Sequence, residues 1–188
     1  MKKYSLCLKE GDKLYYTGIG SRETPREYME FLYKVGKFLA LSNYILGSGH
    51  AEGSDSAFEF GCDKVCGKKE IYIPWDGFNN SKSELVVISK RAFEIAEKYH
   101  PAWENLKDSG RRLMARNSHQ VLGKDLNTPS KFLVCWTKNG KGTGGTGQAI
   151  RIAKDYDIPI FDAGLYYNIF ICNSEFKEFY QSIKFGGQ

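Results

Sequence analysis

Three short stretches of this 188-residue chain combine glycine with residue types that hold anions. In "TGIGSRETP" at 17–25, Gly18 and Gly20 permit positive φ and close approach of a ligand. Ser21 adds a hydroxyl donor, and Arg22 a guanidinium that pairs with phosphate or carboxylate. In "GSGHAEGSD" at 47–55, glycines again precede a helix start, where backbone N–H groups make an anion site. Asp55 there either complements the helix dipole or accepts from a sugar hydroxyl. In "NGKGTGGTGQ" at 139–148, five glycines are costly to order, and a phosphate cradle of backbone amides is their natural use. A Walker A loop requires lysine and then serine or threonine after its last glycine. Here Gln148 follows Gly147, which disfavours a kinase or ATPase of that type. The plainer readings are a tight turn with a solvated arginine for the first stretch and a surface hairpin for the third.

A fourth stretch, "RRLMARN" at 111–117, sets Arg112 and Arg116 four apart on one helix face, either as anion ligands or as a solvated basic face. His50, His100 and His119 are isolated and read as structural or surface residues. No Ser/His/Asp or Cys/His order suggests a nucleophile. Cys62 and Cys66 lie four apart without a second ligand pair at zinc spacing, so no metal is expected. Together with Cys7, Cys135 and Cys172 they read as reduced and mostly buried thiols.

Loops of this kind need a scaffold that carries them to one edge. Strand-like and helix-like segments alternate: a strand at 13–20, a helix at 25–42, a strand at 44–49, then a helix of about ten residues capped by Ser54 or Asp55. In the first helix Tyr28, Phe31, Leu32, Val35, Phe38 and Leu39 form one apolar stripe. Thr24, Pro25 and Glu27 read as its capping box, with the proline at the first helical position. A strand at 70–75, two helices near 83–99 and 103–117, and an apolar strand at 131–137 follow. Then come a helix from Gln148, a strand at 158–163, a further strand over "YNIFICN" and a closing helix capped by Ser174. Such alternation predicts an α/β fold, a Rossmann-like, doubly wound and mainly parallel sheet with helices on both faces. Ligands of such sheets sit outside the carboxyl ends of the strands.

Residues 1–188 read as one domain without repeats or linkers. The formal charge of +5 is a modest bias toward anionic partners. No apolar run approaches the roughly eighteen residues of a membrane span, and charge interrupts the N-terminal segment; a cytoplasmic location without membrane association is the expectation.

Taken in order, "GIGSRETP", "SGHAEGSD", "RRLMARNS" and "GGTGQA" resemble the SLOG superfamily of Rossmann-like proteins. That superfamily includes the DNA-processing DprA (Smf) type and the LOG phosphoribohydrolases. The resemblance spans about residues 13–163 and is nearest a stand-alone, phage-type DprA-like member. It implies a nucleotide or nucleotide-derived ligand and no resident cofactor. The ligand would be held by Gly18, Gly20, Ser21 and Arg22 in the first turn, and by Gly49, Gly53 and Asp55 in the second. Arg116 and Asn117 would hold it from the arginine region, and Gly144, Gly145, Thr146 and Gly147 from the last turn.

LOG enzymes hydrolyse the N-glycosidic bond of a nucleotide with an arginine and a glutamate from "PGGxGTxxE". Laid on that motif, "GGTG" puts Arg151 at the glutamate position and Gln148 at the threonine. A catalytic carboxylate would then have to be Glu23, Glu52 or Asp55, and the catalytic residues stay open. The resemblance leaves two other readings: DprA-like single-stranded DNA binding through Arg22, Arg112 and Arg116, and non-catalytic sensing of a cyclic-nucleotide or ADP-ribose-type signal. It also implies a homo-oligomer, a dimer through helices beside the sheet, with 165–180 as a contact.

Overall fold

A computed structural model describes residues 13–86 and 89–185. Cys7 and the N-terminal segment read above lie outside the described residues. Six parallel strands form one sheet: β1 (Leu14–Gly20), β2 (Tyr44–Ser48), β3 (Lys69–Ile73), β4 (Leu85–Val86), β5 (Leu133–Trp136) and β6 (Ile160–Asp162). Their order is β4-β3-β2-β1-β5-β6. The chain therefore winds outward from β1 in one direction and then returns to pair β5 against β1, with Thr17 opposite Leu133 and Gly20 opposite Trp136. That reversal leaves a crevice at the carboxyl ends of β1 and β5.

Alternation along the strands sends apolar side chains to both faces, as a sheet covered on two sides requires. Tyr16, Leu46, Ile71, Ile73, Phe132 and Val134 pack under α1 (Arg26–Leu41), α2 (Ser54–Asp63) and α6 (Ile169–Phe185). Ile19, Tyr72, Leu133 and Cys135 pack under α3 (Lys90–Tyr99), α4 (Asp108–Leu122) and α5 (Gly144–Asp155). The stripe read on α1 turns inward at Tyr28, Phe31, Leu32, Val35 and Leu39. Fully buried side chains of this size contribute about 1.5–3 kcal/mol each. Phe38 of the same stripe stays 43% exposed.

Several local readings are corrected. Residues 167–173 are not a strand, and Ser174 is not a cap: α6 begins at Ile169, where Asn168 Oδ1 accepts the N–H of Phe170 at 2.8 Å. The local signal for this start is an asparagine, outweighed in the sequence by the β-formers around it. Thr24 does not cap α1. The helix starts after Pro25 without a side-chain cap, and Thr24 Oγ1 donates to Ser21 O at 2.6 Å and lies 2.7 Å from Ser54 Oγ. Neither Ser54 nor Asp55 caps α2; its N-cap is Gly53. The stretch near 83–99, read as one helix, begins instead with the short edge strand β4, and Ser89 caps α3 by accepting from Ala92 N at 3.1 Å. The second helix of that region runs on to Leu122.

Among the described residues no helix is long and apolar enough to cross a membrane, and no cluster of metal-ligating side chains occurs. Cys62, Cys135 and Cys172 are buried free thiols, whereas Cys66 is exposed and lies beyond the end of α2.

Candidate functional site

At the carboxyl edge of the sheet, where β1 and β5 diverge, lies a cleft of about 490 Å³. One wall is the turn after β1, with Gly20, Ser21, Arg22 and Glu23; the other is the loop after β5 with the first turn of α5, Gly144, Gly145 and Thr146. Asp55 of α2 and Arg116 and Asn117 of α4 form the floor. Nine of the thirteen sequence-predicted residues thus meet in one place.

Gly18, Gly49, Gly53 and Gly147 do not line it. They shape what does. A Cβ on Gly49 would stand 2.4 Å from Arg116 Nη1, and one on Gly53 2.4 Å from Ser21 O. A Cβ on Gly147 would stand 1.8 Å from Gly142 O, so only glycine lets the loop close onto α5. Gly18 belongs to the core, against the Phe58 ring and Leu46.

The floor is electrostatically tight. Arg116 is 5% and Asp55 1% exposed, and Arg116 Nη1 lies 4.0 Å from Asp55 Oδ2, too far for a hydrogen bond. Arg116 instead donates from Nη1 to Gly49 O at 2.6 Å and from Nη2 to Asn117 Oδ1 at 3.0 Å. Asn117 Nδ2 in turn donates to Gly145 O at 3.0 Å, tying the arginine to the start of α5. Asp55 Oδ1 accepts the N–H of Gly20 at 3.2 Å. Asp55 Oδ2, Arg116 Nε and both amide atoms of Gln120 are buried without a hydrogen-bond partner in the protein. Burial pushes the Asp55 carboxyl up to about 6, against the opposing pull of Arg116 and the Gly20 N–H. Burial likewise lowers the Arg116 guanidinium from its ordinary value, and Asp55 opposes that shift.

α5 enters the cleft with Thr143 at its N-cap position and no side-chain cap, so its first-turn N–H groups have no intrahelical acceptor and point a positive dipole end at the cavity. Arg22 is exposed at the rim, as are Lys138 and the carboxylates of Glu23 and Glu52. Ser21 is partly committed: its N–H pairs with Trp136 O at 3.1 Å and its Oγ accepts from Glu23 N at 3.0 Å. Arg112 does not reach the cleft; it donates to Asp108 at 2.8 Å on the outer side of α4. Arg151 is also elsewhere, donating to Tyr99 O at 2.6 Å.

Sequence reasoning missed several participants. Phe78 and Asn79, in the loop after β3, close one side of the cleft. The Arg116 guanidinium lies 5.8 Å from the Phe78 ring centroid, within cation–π reach. Asn79 Nδ2 donates to His50 O at 3.1 Å, which joins that loop to the second glycine turn. Asp162, at the end of β6, accepts the N–H of Thr137 at 2.9 Å and the Thr137 hydroxyl, while Thr137 Oγ1 accepts Gly142 N at 3.1 Å. This relay fixes the glycine-rich loop from outside the cleft. An acidic residue closing an apolar strand was the available signal for Asp162; besides the N–H of Gly164 two residues on, its partner is Thr137, 25 residues away.

No protein-family profile and no curated protein matches the sequence. Solved structures do. A Moco carrier protein of Chlamydomonas rheinhardtii superposes with a TM-score of 0.53 at 16% identity, over 94% of this chain and 87% of that one. DNA processing protein A of Helicobacter pylori, described for its single-stranded DNA binding mode, gives 0.51 at 18% identity, over 88% and 81%. DprA of Streptococcus pneumoniae gives 0.51 at 17% identity, over 88% of this chain and 56% of that one. At these identities the likeness is one of fold, and the fold is Rossmann-like α/β.

Proposed function

We propose that this protein is a SLOG-type binder of a nucleotide or nucleotide-derived ligand. The observation that carries the reading is the meeting, at the sheet's reversal point, of an uncapped α5 N-terminus with the buried Arg116–Asp55 pair. In this reading phosphate oxygens take the first-turn N–H groups of α5 and the Arg22 guanidinium. A sugar hydroxyl approaches Asp55, and the residues of both walls exclude water from the contact. Turnover, if it occurs, is N-glycosidic hydrolysis, with Glu23, Glu52 or Asp55 stabilising positive charge on the sugar.

A ligand that binds only the folded state raises its apparent stability. Thermal melts with nucleoside monophosphates, cyclic nucleotides, ADP-ribose derivatives and single-stranded oligonucleotides therefore test the reading. Stabilisation by a mononucleotide-sized ligand is expected, and no shift with any of them refutes it. Chromatography for free base after incubation with nucleoside monophosphates separates binding from hydrolysis.

A second reading, single-stranded DNA binding, is favoured by the exposed Arg22 and Lys138 on opposite rims of an open cleft and by the DprA likeness. It requires affinity that rises with oligonucleotide length and falls steeply with salt.

A further inference from the structure

The cleft is not uniform along its length. Its lining follows the order of the strands beneath it: Phe78 and Asn79 come after β3, Glu52 after β2, Ser21 after β1, and Lys138 with the start of α5 after β5. From β3 to β5 is three strand spacings, about 14 Å, which is room for an extended nucleoside monophosphate. The floor runs the same way: the Phe78 ring lies 5.8 Å from the Arg116 guanidinium, Arg116 Nη2 donates to Asn117 Oδ1 at 3.0 Å, and Asn117 Nδ2 donates to Gly145 O at 3.0 Å. The two ends differ in chemistry. At one, α5 offers uncapped N–H groups beside Lys138. At the other stands Phe78, the only aromatic side chain that lines the cleft among the described residues. Beside it, Asn79 Nδ2 is spent on His50 O at 3.1 Å, and Asn79 Oδ1 has no partner among the described residues.

We infer, on the nucleotide reading of this cleft, that Phe78 and Asn79 form its base subsite and select a base carrying an exocyclic amino group, with the phosphate at α5. A planar heterocycle needs an apolar wall and a few placed polar groups, and this pair supplies both. The amide oxygen of asparagine can only accept. The amino group of adenine or cytosine therefore pairs with Asn79 Oδ1, whereas hypoxanthine or uracil sets a carbonyl oxygen against it. Both groups are oriented before a ligand arrives: Trp75 meets the Phe78 ring edge to face at 5.3 Å, and the bond to His50 O holds the Asn79 amide.

The reverse placement fits less well. A phosphate at the Phe78 end would meet the unpaired Asn79 oxygen and, on the next loop, the exposed carboxylate of Glu52, which enters no ion pair among the described residues. A base at the α5 end would find no ring and would leave the first-turn N–H groups without an anion.

The test is calorimetric titration of the full-length protein with two pairs of nucleoside 5′-monophosphates, AMP against IMP and CMP against UMP, in which an amino group is exchanged for an oxygen. Ribose 5-phosphate, which has no base, is measured by competition. The amino member of whichever pair binds should be held about tenfold tighter than its partner. Ribose 5-phosphate should bind at least about tenfold more weakly than that nucleotide. Asn79 has φ 48°, so Asn79→Gly removes the amide while keeping the left-handed backbone, and it should bring the amino preference close to one. Phe78→Ala should weaken the nucleotides roughly tenfold and leave ribose 5-phosphate unchanged. Should Phe78→Ala fail to fold, the comparison of nucleotide with ribose 5-phosphate on the unaltered protein decides the same point. Failure of every one of these ligands to bind refutes the nucleotide reading and this subsite with it. Nucleotide binding with an equal or reversed amino preference, with ribose 5-phosphate held as tightly, or with indifference to both variants overturns the subsite alone. So does a loss in either variant that extends to ribose 5-phosphate, which would make the residue structural.

Discussion

Arg116 of α4 and Asp55 of α2 face each other at 4.0 Å on the cleft floor, nearly dry, and neither completes its hydrogen bonding within the protein. A pair this buried is costly to keep and more costly to break. Removing one partner strands the other charge, at about 3–5 kcal/mol, whereas replacing both with uncharged groups of similar volume is far milder. Arg116→Met should therefore lower stability in denaturant unfolding by about that amount, and adding Asp55→Asn should restore part of it. Strictly additive losses would mean that the two residues do not act as a pair.

The same carboxyl sets a pH dependence. Its folded value of about 6 lies above its ordinary value of 3.8, so the folded state binds the proton more tightly. The stability this provides is fully present below 3.8 and is lost as pH rises through about 6. Between pH 7 and pH 4 the wild type should gain on Asp55→Asn by up to about 3 kcal/mol, taking 1.36 kcal/mol per pKa unit. Unfolding curves of both proteins across that range measure it, and parallel curves would show that Asp55 titrates normally.

The turns were readable in the sequence because glycine at 20, 53 and 144 and the Thr24–Pro25 pair punctuate it between apolar runs, and the runs themselves announced a parallel sheet. What misled was local chemistry overruled by distant contacts. Thr24 resembles a cap in every nearby residue, yet its hydroxyl donates back to Ser21 O and lies against the hydroxyl of Ser54, 30 residues on. Arg112 and Arg116 share a sequence face but not a fate, because α4 turns one to solvent and buries the other under Phe78. Phe78 carried no motif, and Asp162 only an acidic residue closing an apolar strand; the fold brings Phe78 to the cleft and sets Asp162 behind it, against Thr137.

Asp162 acts as a positioning residue. Asp162→Ala leaves the buried Thr137 N–H without its acceptor and frees the loop that Thr137 ties to Gly142. A loss of about 1–3 kcal/mol is expected. A ligand found in the thermal panel should also bind more weakly, although Asp162 does not line the cleft. Unchanged affinity at reduced stability would confine Asp162 to a packing role.

Two glycines at the start of α5 should respond differently to alanine. Gly144 has φ +64° but open space around the missing Cβ, so Gly144→Ala should cost about 1 kcal/mol through backbone conformation alone. Gly147→Ala forces a methyl group onto Gly142 O, and backbone must shift to relieve it. Its loss of stability should exceed that of Gly144→Ala in urea unfolding; the reverse order would mean that the loop does not close onto α5.

Arg22 separates binding from folding. Its side chain is exposed at the rim, and no hydrogen bond or ion pair holds it among the described residues, so Arg22→Ala should change stability by no more than about 0.5 kcal/mol. A charge-assisted contact to phosphate is worth about 1.5–3 kcal/mol, which is a loss of roughly tenfold or more in affinity for a phosphorylated ligand. The corresponding nucleoside, lacking the phosphate, should be bound equally by wild type and variant. Calorimetric titration of both ligands against both proteins closes the comparison: an equal loss for nucleoside and nucleotide would move Arg22 off the phosphate, and a fall in melting temperature would make it a structural residue.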